Sequence, residues 1–159
     1  MPSLGPASAR APKFPVRNGG NPHGCVMAFN VKTNPETKKP RLAPAWMSGD
    51  LNIPDPPVVA AGVVFVLSTG ENVRQTTTGG VIFKMPKIEL LTVGDRQNQT
   101  QRAELFALDA RTGKTLYRSG DTMEKWAHYS GLAVANGRVY AVDSSSQVYA
   151  FGVKEETKP

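Results

Sequence analysis

The feature that most restricts how this chain can fold is that it repeats itself. Val26-Met27-Ala28-Phe29-Asn30 aligns with Leu105-Phe106-Ala107-Leu108-Asp109, 79 residues further on. Trp46-Met47-Ser48-Gly49-Asp50 aligns with Tyr117-Arg118-Ser119-Gly120-Asp121 at an offset of 71, and residues 59–66 align with 134–141 at 75. Val148-Tyr149-Ala150-Phe151 then restates Leu105-Phe106-Ala107-Leu108 after 43 residues. The order is kept, and the offsets change only by loop length. A repeated supersecondary unit cannot bury its apolar face alone, so such units stack on their neighbours.

The units are built from short β-rich runs broken by turn residues. Strands are predicted over 24–31, 45–47, 57–60, 63–68, 104–109, 114–118, 131–135, 138–142 and 147–152. Asn136-Gly137 separates two of these runs with the spacing and chemistry of a type I′ hairpin turn, and Ala61-Gly62 stands in the matching place with a poorer first residue. No stretch sustains a 3.6-residue apolar period, and the best helical candidate, 121–127, is barely two turns. With 15 Gly and 13 Pro in 159 residues, the chain turns often. A unit of roughly 40–45 residues with four short strands has the size of a β-propeller blade. The fold class expected is therefore all-β, a partial β-propeller of four-stranded antiparallel blades with an inserted hairpin.

Composition divides the chain. Residues 1–24 are rich in Pro and Gly and lack an apolar period, so a disordered basic arm is expected there. Residues 25–152 form the partial propeller, with blade-like repeats near 25–70 and 104–152. The insert between them, 71–103, holds a predicted hairpin of Val81-Ile82-Phe83-Lys84 and 88–93 around Met85-Pro86-Lys87, between polar loops. It reads as a decoration on one rim. A polar tail, 153–159, follows. The net charge of +6 lies entirely in residues 1–41, which carry seven bases and one acid. A nucleic-acid surface would interleave these bases with aromatics on one folded face; the segment has only Phe14 and Phe29, so no nucleic-acid partner is expected. No apolar run approaches the ~18 residues of a membrane span. No basic start leads into a 7–15-residue apolar stretch, so no signal peptide is expected within the chain as given.

One motif is more specific. Ala107-Leu108-Asp109-Ala110-Arg111-Thr112-Gly113-Lys114-Thr115-Leu116-Tyr117 resembles the tryptophan-docking motif of the pyrroloquinoline-quinone-like (PQQ-like, quinoprotein-type) β-propellers, with Tyr117 in the Trp place. The resemblance covers residues 105–152 and, more weakly, 25–69, where residues 31–42 replace the compact turn with a longer Lys/Pro-rich loop. On physical grounds Ala107 admits a neighbouring aromatic, Asp109 accepts hydrogen bonds from the turn after it, Gly113 supplies positive φ, and Tyr117 offers a flat face between blades. These are packing roles. The resemblance implies a C-terminal fragment of about two blades, completed by a protein partner, by the remaining blades or by further copies of itself. It also points to the bacterial periplasm or cell envelope.

Chemistry-bearing residues are few. Quinone-dependent alcohol and sugar dehydrogenases resembling this repeat hold PQQ and calcium with an Asp base and, in many cases, adjacent cysteines. Here Cys25 is the single cysteine, set in an apolar run and read as a buried small hydrophobe. Asp50, Asp55, Asp121 and Asp143 each stand in a turn context that favours Asp for its own backbone hydrogen bonds. His128, within Trp126-Ala127-His128-Tyr129-Ser130, is the best candidate for a ligand contact, against a plainer reading as a loop histidine beside aromatics. His23 reads as solvated, and Asn98-Gln99-Thr100 fits a glycosylation sequon. No zinc, phosphate-loop or nucleophile-elbow motif occurs. No catalytic, cofactor-binding or metal residue is assigned. The function expected is a non-catalytic scaffold or protein-interaction module without cofactor, and the alternative is a fragment of a PQQ-dependent dehydrogenase.

Overall fold

A computed structural model of the chain describes residues 1–6, 8, 10–71, 90–128 and 130–153. Its strands are β1 (Pro2–Ser3), β2 (Val16–Arg17), β3 (Cys25–Thr33), β4 (Pro40–Met47), β5 (Val58–Ala60), β6 (Val63–Ser68), β7 (Glu104–Asp109), β8 (Thr115–Arg118), β9 (Leu132–Ala135), β10 (Arg138–Val142) and β11 (Val148–Gly152). One short helix, α1 (Val93–Gln97), lies before β7, and a 3₁₀ turn spans Gly120–Thr122. The fold is all-β.

The strands form three sheets, ordered β1-β3-β4-β2, β5-β6-β7-β8 and β11-β10-β9. All pairs are antiparallel except β2 with β4. The second sheet is a sequential meander whose central strands, β6 and β7, are buried on both faces, so their side chains alternate between two cores. Val64, Val66, Phe106 and Leu108 pack with Val26, Trp46 and Leu51 from the first sheet and its connector. Leu67 and Leu105 point the other way, to Val139 and Ala141 of the third sheet and to Met123 and Ala127 of the connector before it.

Residues aligned by the repeat take matching places in register. Ala28 pairs with Trp46 as Ala107 pairs with Tyr117, and each ladder shifts register immediately after that alanine, with the extra residue, Ala45 or Leu116, on the partner strand. Phe65 faces Ala107 as Tyr140 faces Ala150, and Val59 faces Val64 as Val134 faces Val139. Ser48 and Ser119 also act alike. Each hydroxyl accepts the backbone N–H of the opposing strand, Val26 or Leu105, at 2.9 Å, and each serine N–H donates back to the same residue's carbonyl. Both turns predicted from the repeat form, with Ala61 and Asn136 at φ 47° and 49° and Gly62 and Gly137 at 77° and 70°.

Several expectations are corrected. The sheets do not divide at 25–70 and 104–152: β3 and β4 close one sheet, while β5 and β6 open the next. Sequence similarity fixes the period of a repeat but not its phase, which is set by where the chain crosses between sheets. The loop expected at 31–42 shortens to 34–39, because β3 and β4 run on as a paired hairpin to Thr33↔Pro40. Of the helical candidate 121–127, only Asp121 and Thr122 are helical, as the end of a 3₁₀ turn over Gly120–Thr122. Val93, expected in a strand, begins α1 instead. The hairpin expected at 81–93 falls largely on 72–89, outside the described residues, as do 154–159 of the expected tail.

The 1–24 arm, expected to be disordered, is docked. Pro2–Ser3 pairs with Val26 and Cys25, and Val16–Arg17 pairs with Trp46 and Met47. Phe14 is buried against Phe29, with ring centroids 5.3 Å apart. Asn21 Nδ2 reaches Cys25 Sγ at 3.1 Å and Met47 Sδ at 3.0 Å. A single buried aromatic and a few amide anchors leave no periodic trace, yet they cover the outer face of β3 that would otherwise stay wet.

Candidate functional site

The sequence candidates separate once folded. His23, half exposed, is not merely solvated: its ring Nδ1 lies 2.7 Å from Asp50 Oδ2, and its backbone N–H donates to Asp50 Oδ1 at 2.9 Å. Asp143 is the turn aspartate expected of it. Its carboxylate accepts from the Ser145 hydroxyl (2.6 Å) and N–H (2.9 Å), the Gln147 N–H (3.2 Å) and the Tyr149 hydroxyl (3.0 Å). Burial would raise its pKa, but these donors outweigh burial and hold it below the usual carboxylate value. The backbone carbonyl of Asp121 accepts from Arg102 at 3.3 Å. Cys25 is fully buried, and desolvation pushes its thiol up, against the hydrogen bond from Asn21.

His128 is different. Its Nδ1 stands 2.7 Å from Glu71 Oε2, 57 residues away in sequence, and the Glu71 side chain is 8% exposed. Trp126 sets its ring edge-on to His128, with centroids 5.7 Å apart and planes at 61°. Asp55, also buried, accepts the Gly131 N–H at 3.3 Å. Desolvation raises the Asp55 pKa; the Gly131 hydrogen bond and the His128 charge oppose it, and the Glu71 charge reinforces it. The Glu71–His128 pair and the Asp55–Gly131 hydrogen bond thus lie where the chain enters β5, leaves β6 and enters β9. Tyr129, the remaining ring of the predicted cluster, lies outside the described residues.

The backbone explains the Glu71–His128 contact. Gly70 adopts φ 70°, and a Cβ there would collide with the Gln101 and Arg102 carbonyl oxygens. The glycine lets the chain leave β6 against residues 101–102, where Gln101 N–H donates to the Gly70 carbonyl at 2.7 Å. Thr69 then receives the Ala127 N–H at 2.9 Å, which brings His128 over Glu71. Sequence reasoning singled out His128 but missed Glu71, which looked like the first residue of a polar loop, and it read Asp55 as a local turn former. A glutamate two residues past a strand end carries no signal of the histidine it meets 57 positions later. Mechanically, the two contacts tie the second sheet to the segment that leads into the third. Among the described residues no three His, Cys, Asp or Glu side chains are grouped to hold a metal ion.

The contact that fixes the first sheet on the second is Trp46. Its indole, 2% exposed, lies against Gly113 in the β7–β8 turn, and its Nε1–H donates to the Ala110 carbonyl at 2.9 Å. Asp109 organises that turn, accepting the Arg111 and Thr112 N–H groups at 2.9 and 2.8 Å and the Thr112 hydroxyl at 2.9 Å. Gly113 takes φ 71°. Tyr117 occupies the place matching Trp46 opposite Ala107 but is 48% exposed. No described helix is long and apolar enough to cross a membrane. Comparison with protein-family models, with curated proteins and with solved structures returns no match for this chain.

Proposed function

We propose that the chain is a PQQ-like β-propeller repeat module, a partial propeller that works as a non-catalytic scaffold or protein-interaction domain. The observation that carries this reading is the Trp46 indole seated on Gly113 of the next sheet. It locks one repeat onto another through the residue types that the resembled motif places there. The sequential β5-β6-β7-β8 sheet is the blade unit under this reading, and β9-β10-β11 takes its first three positions. β7 carries β8 on its outer edge, whereas the matching edge of β11 has no strand among the described residues. That edge is where the remaining blades, a protein partner or a second copy would continue the structure, and the resemblance points to the periplasm or cell envelope as the setting.

Size-exclusion chromatography with light scattering tests the reading, run with and without PQQ and calcium and with absorbance recorded across the protein peak. A cofactor-free protein that assembles into a discrete multimer, or that takes up the remainder of a propeller supplied in trans, is the expected result. A quinone that co-elutes stoichiometrically and shifts the spectrum would overturn it in favour of a PQQ-dependent dehydrogenase fragment.

A further inference from the structure

Beyond the core, the β3–β4 ladder continues as a projecting hairpin whose last rungs are Val31↔Leu42, Lys32↔Arg41 and Thr33↔Pro40. Its turn is firmly made: Asn34 Oδ1 accepts the Glu36 and Thr37 N–H groups, and the Asn34 N–H donates to the Lys39 carbonyl at 2.8 Å. Val31 and Leu42 face each other while 73% and 60% exposed. The next rung sets Lys32 directly opposite Arg41, and like charges so placed destabilise an antiparallel pair. Lys38 and Lys39 add to them, Glu36 is the one acid between residues 31 and 42, and no ion pair among the described residues engages these four cations. At the hairpin's base Leu42 and Phe29 line an open apolar groove of about 480 Å³, together with Met1, Trp46, Val59 and Ala110.

Strand alternation puts Lys32 and Arg41 on the face of the ladder that carries Ala28, which lines the groove, and Val31 and Leu42 on the other face. An acidic ligand would relieve the repulsion, and an apolar one would dry the groove. Nucleic acid fits less well, because the aromatics that could stack on bases are already used. Phe14 is buried edge-on to Phe29, and Trp46 is buried on Gly113. We infer that this hairpin and groove dock an extended acidic segment of a partner protein, with its aliphatic side chains in the groove and its carboxylates on Lys32 and Arg41. The inference deepens the interaction-module reading, sharing with it the premise that the chain binds protein, and does not depend on the propeller.

The probe is a fluorescein-labelled eight-residue peptide alternating Glu with Leu, titrated against the full chain by fluorescence anisotropy. Saturable binding is expected, weakening with salt and dropping by about tenfold or more in Lys32→Glu and in Leu42→Ser. Lys32→Glu replaces the repelling rung with an opposite-charge pair, so its melting temperature should equal or exceed that of the parent. Lost binding in that variant therefore cannot be assigned to unfolding. The inference is overturned by absent saturation, by unchanged affinity in Lys32→Glu, or by equal affinity for a Ser-for-Leu peptide or an oligothymidylate. The light-scattering mass reports on the propeller reading separately, so the two can fail independently.

Discussion

Trp46 and Gly113, 67 positions apart in the chain, are in direct contact: the indole occupies the space a Cβ at Gly113 would need. Gly113→Ala should therefore cost more than the ~1–2 kcal/mol of a left-handed alanine, reaching about 3 kcal/mol because the indole must also move. Trp46→Ala should cost ~3–5 kcal/mol. In the Trp46→Ala background the Gly113→Ala penalty should fall back to about 1–2 kcal/mol. Urea denaturation of the four proteins measures the coupling; strict additivity would show that the contact does not bear on stability.

Ala61 and Asn136 hold the same left-handed position in matching hairpins. Asparagine adopts that conformation at a lower cost than alanine. Ala61→Asn should raise stability by about 0.5–1 kcal/mol and Asn136→Ala should lower it by a similar amount. Thermal melts of both variants check the pair, and equal signs would contradict the turn assignment.

Asp109 is held below the usual carboxylate value, first by the Thr112 hydroxyl and then by the Thr112 and Arg111 N–H groups. A carboxylate with a depressed folded pKa contributes stability that is complete above its unfolded value, near pH 4, and is lost as pH falls through the folded value. Asp109→Asn should be less stable than the parent at pH 7, and the gap should close in acid below about pH 4. Asp143→Asn should behave alike, since its donors also outweigh burial. Denaturant midpoints from pH 2 to 7 record both; a gap that does not change with pH would refute the assignment.

Asp55 runs the other way. Burial raises its folded pKa, so its contribution is present below the ordinary value near pH 4 and is lost as pH rises through the raised value. Asp55→Asn keeps an oxygen for the Gly131 N–H and removes the buried charge, so it should gain on the parent as pH rises toward 7. A pH-stability profile falling in parallel with the parent's would rule this out.

Cys25 is fully buried with its thiol pKa pushed up by desolvation. In the native protein it should resist a disulfide reagent and react completely once urea unfolds the chain. Fast native labelling would mean that the 1–24 arm does not stay docked over β3.

The strands were largely legible in the sequence because a half-buried or fully buried strand leaves a period-2 or apolar-run trace. Glu104–Asp109 and Val63–Ser68 form where that trace lies. The repeat also carried register information, since the register shift after Ala28 recurs after Ala107. The legible part is thus local: which runs extend, where Asn136-Gly137 turns, and which segments are copies of one another. The remainder arises from long-range packing. The cut between sheets, the burial of Phe14, the seating of Trp46 on Gly113 and the meeting of Glu71 with His128 each join residues far apart in the chain. Such pairings depend on how stacked sheets bring loop ends together, and nothing in the neighbouring residues of either partner encodes the distance between them.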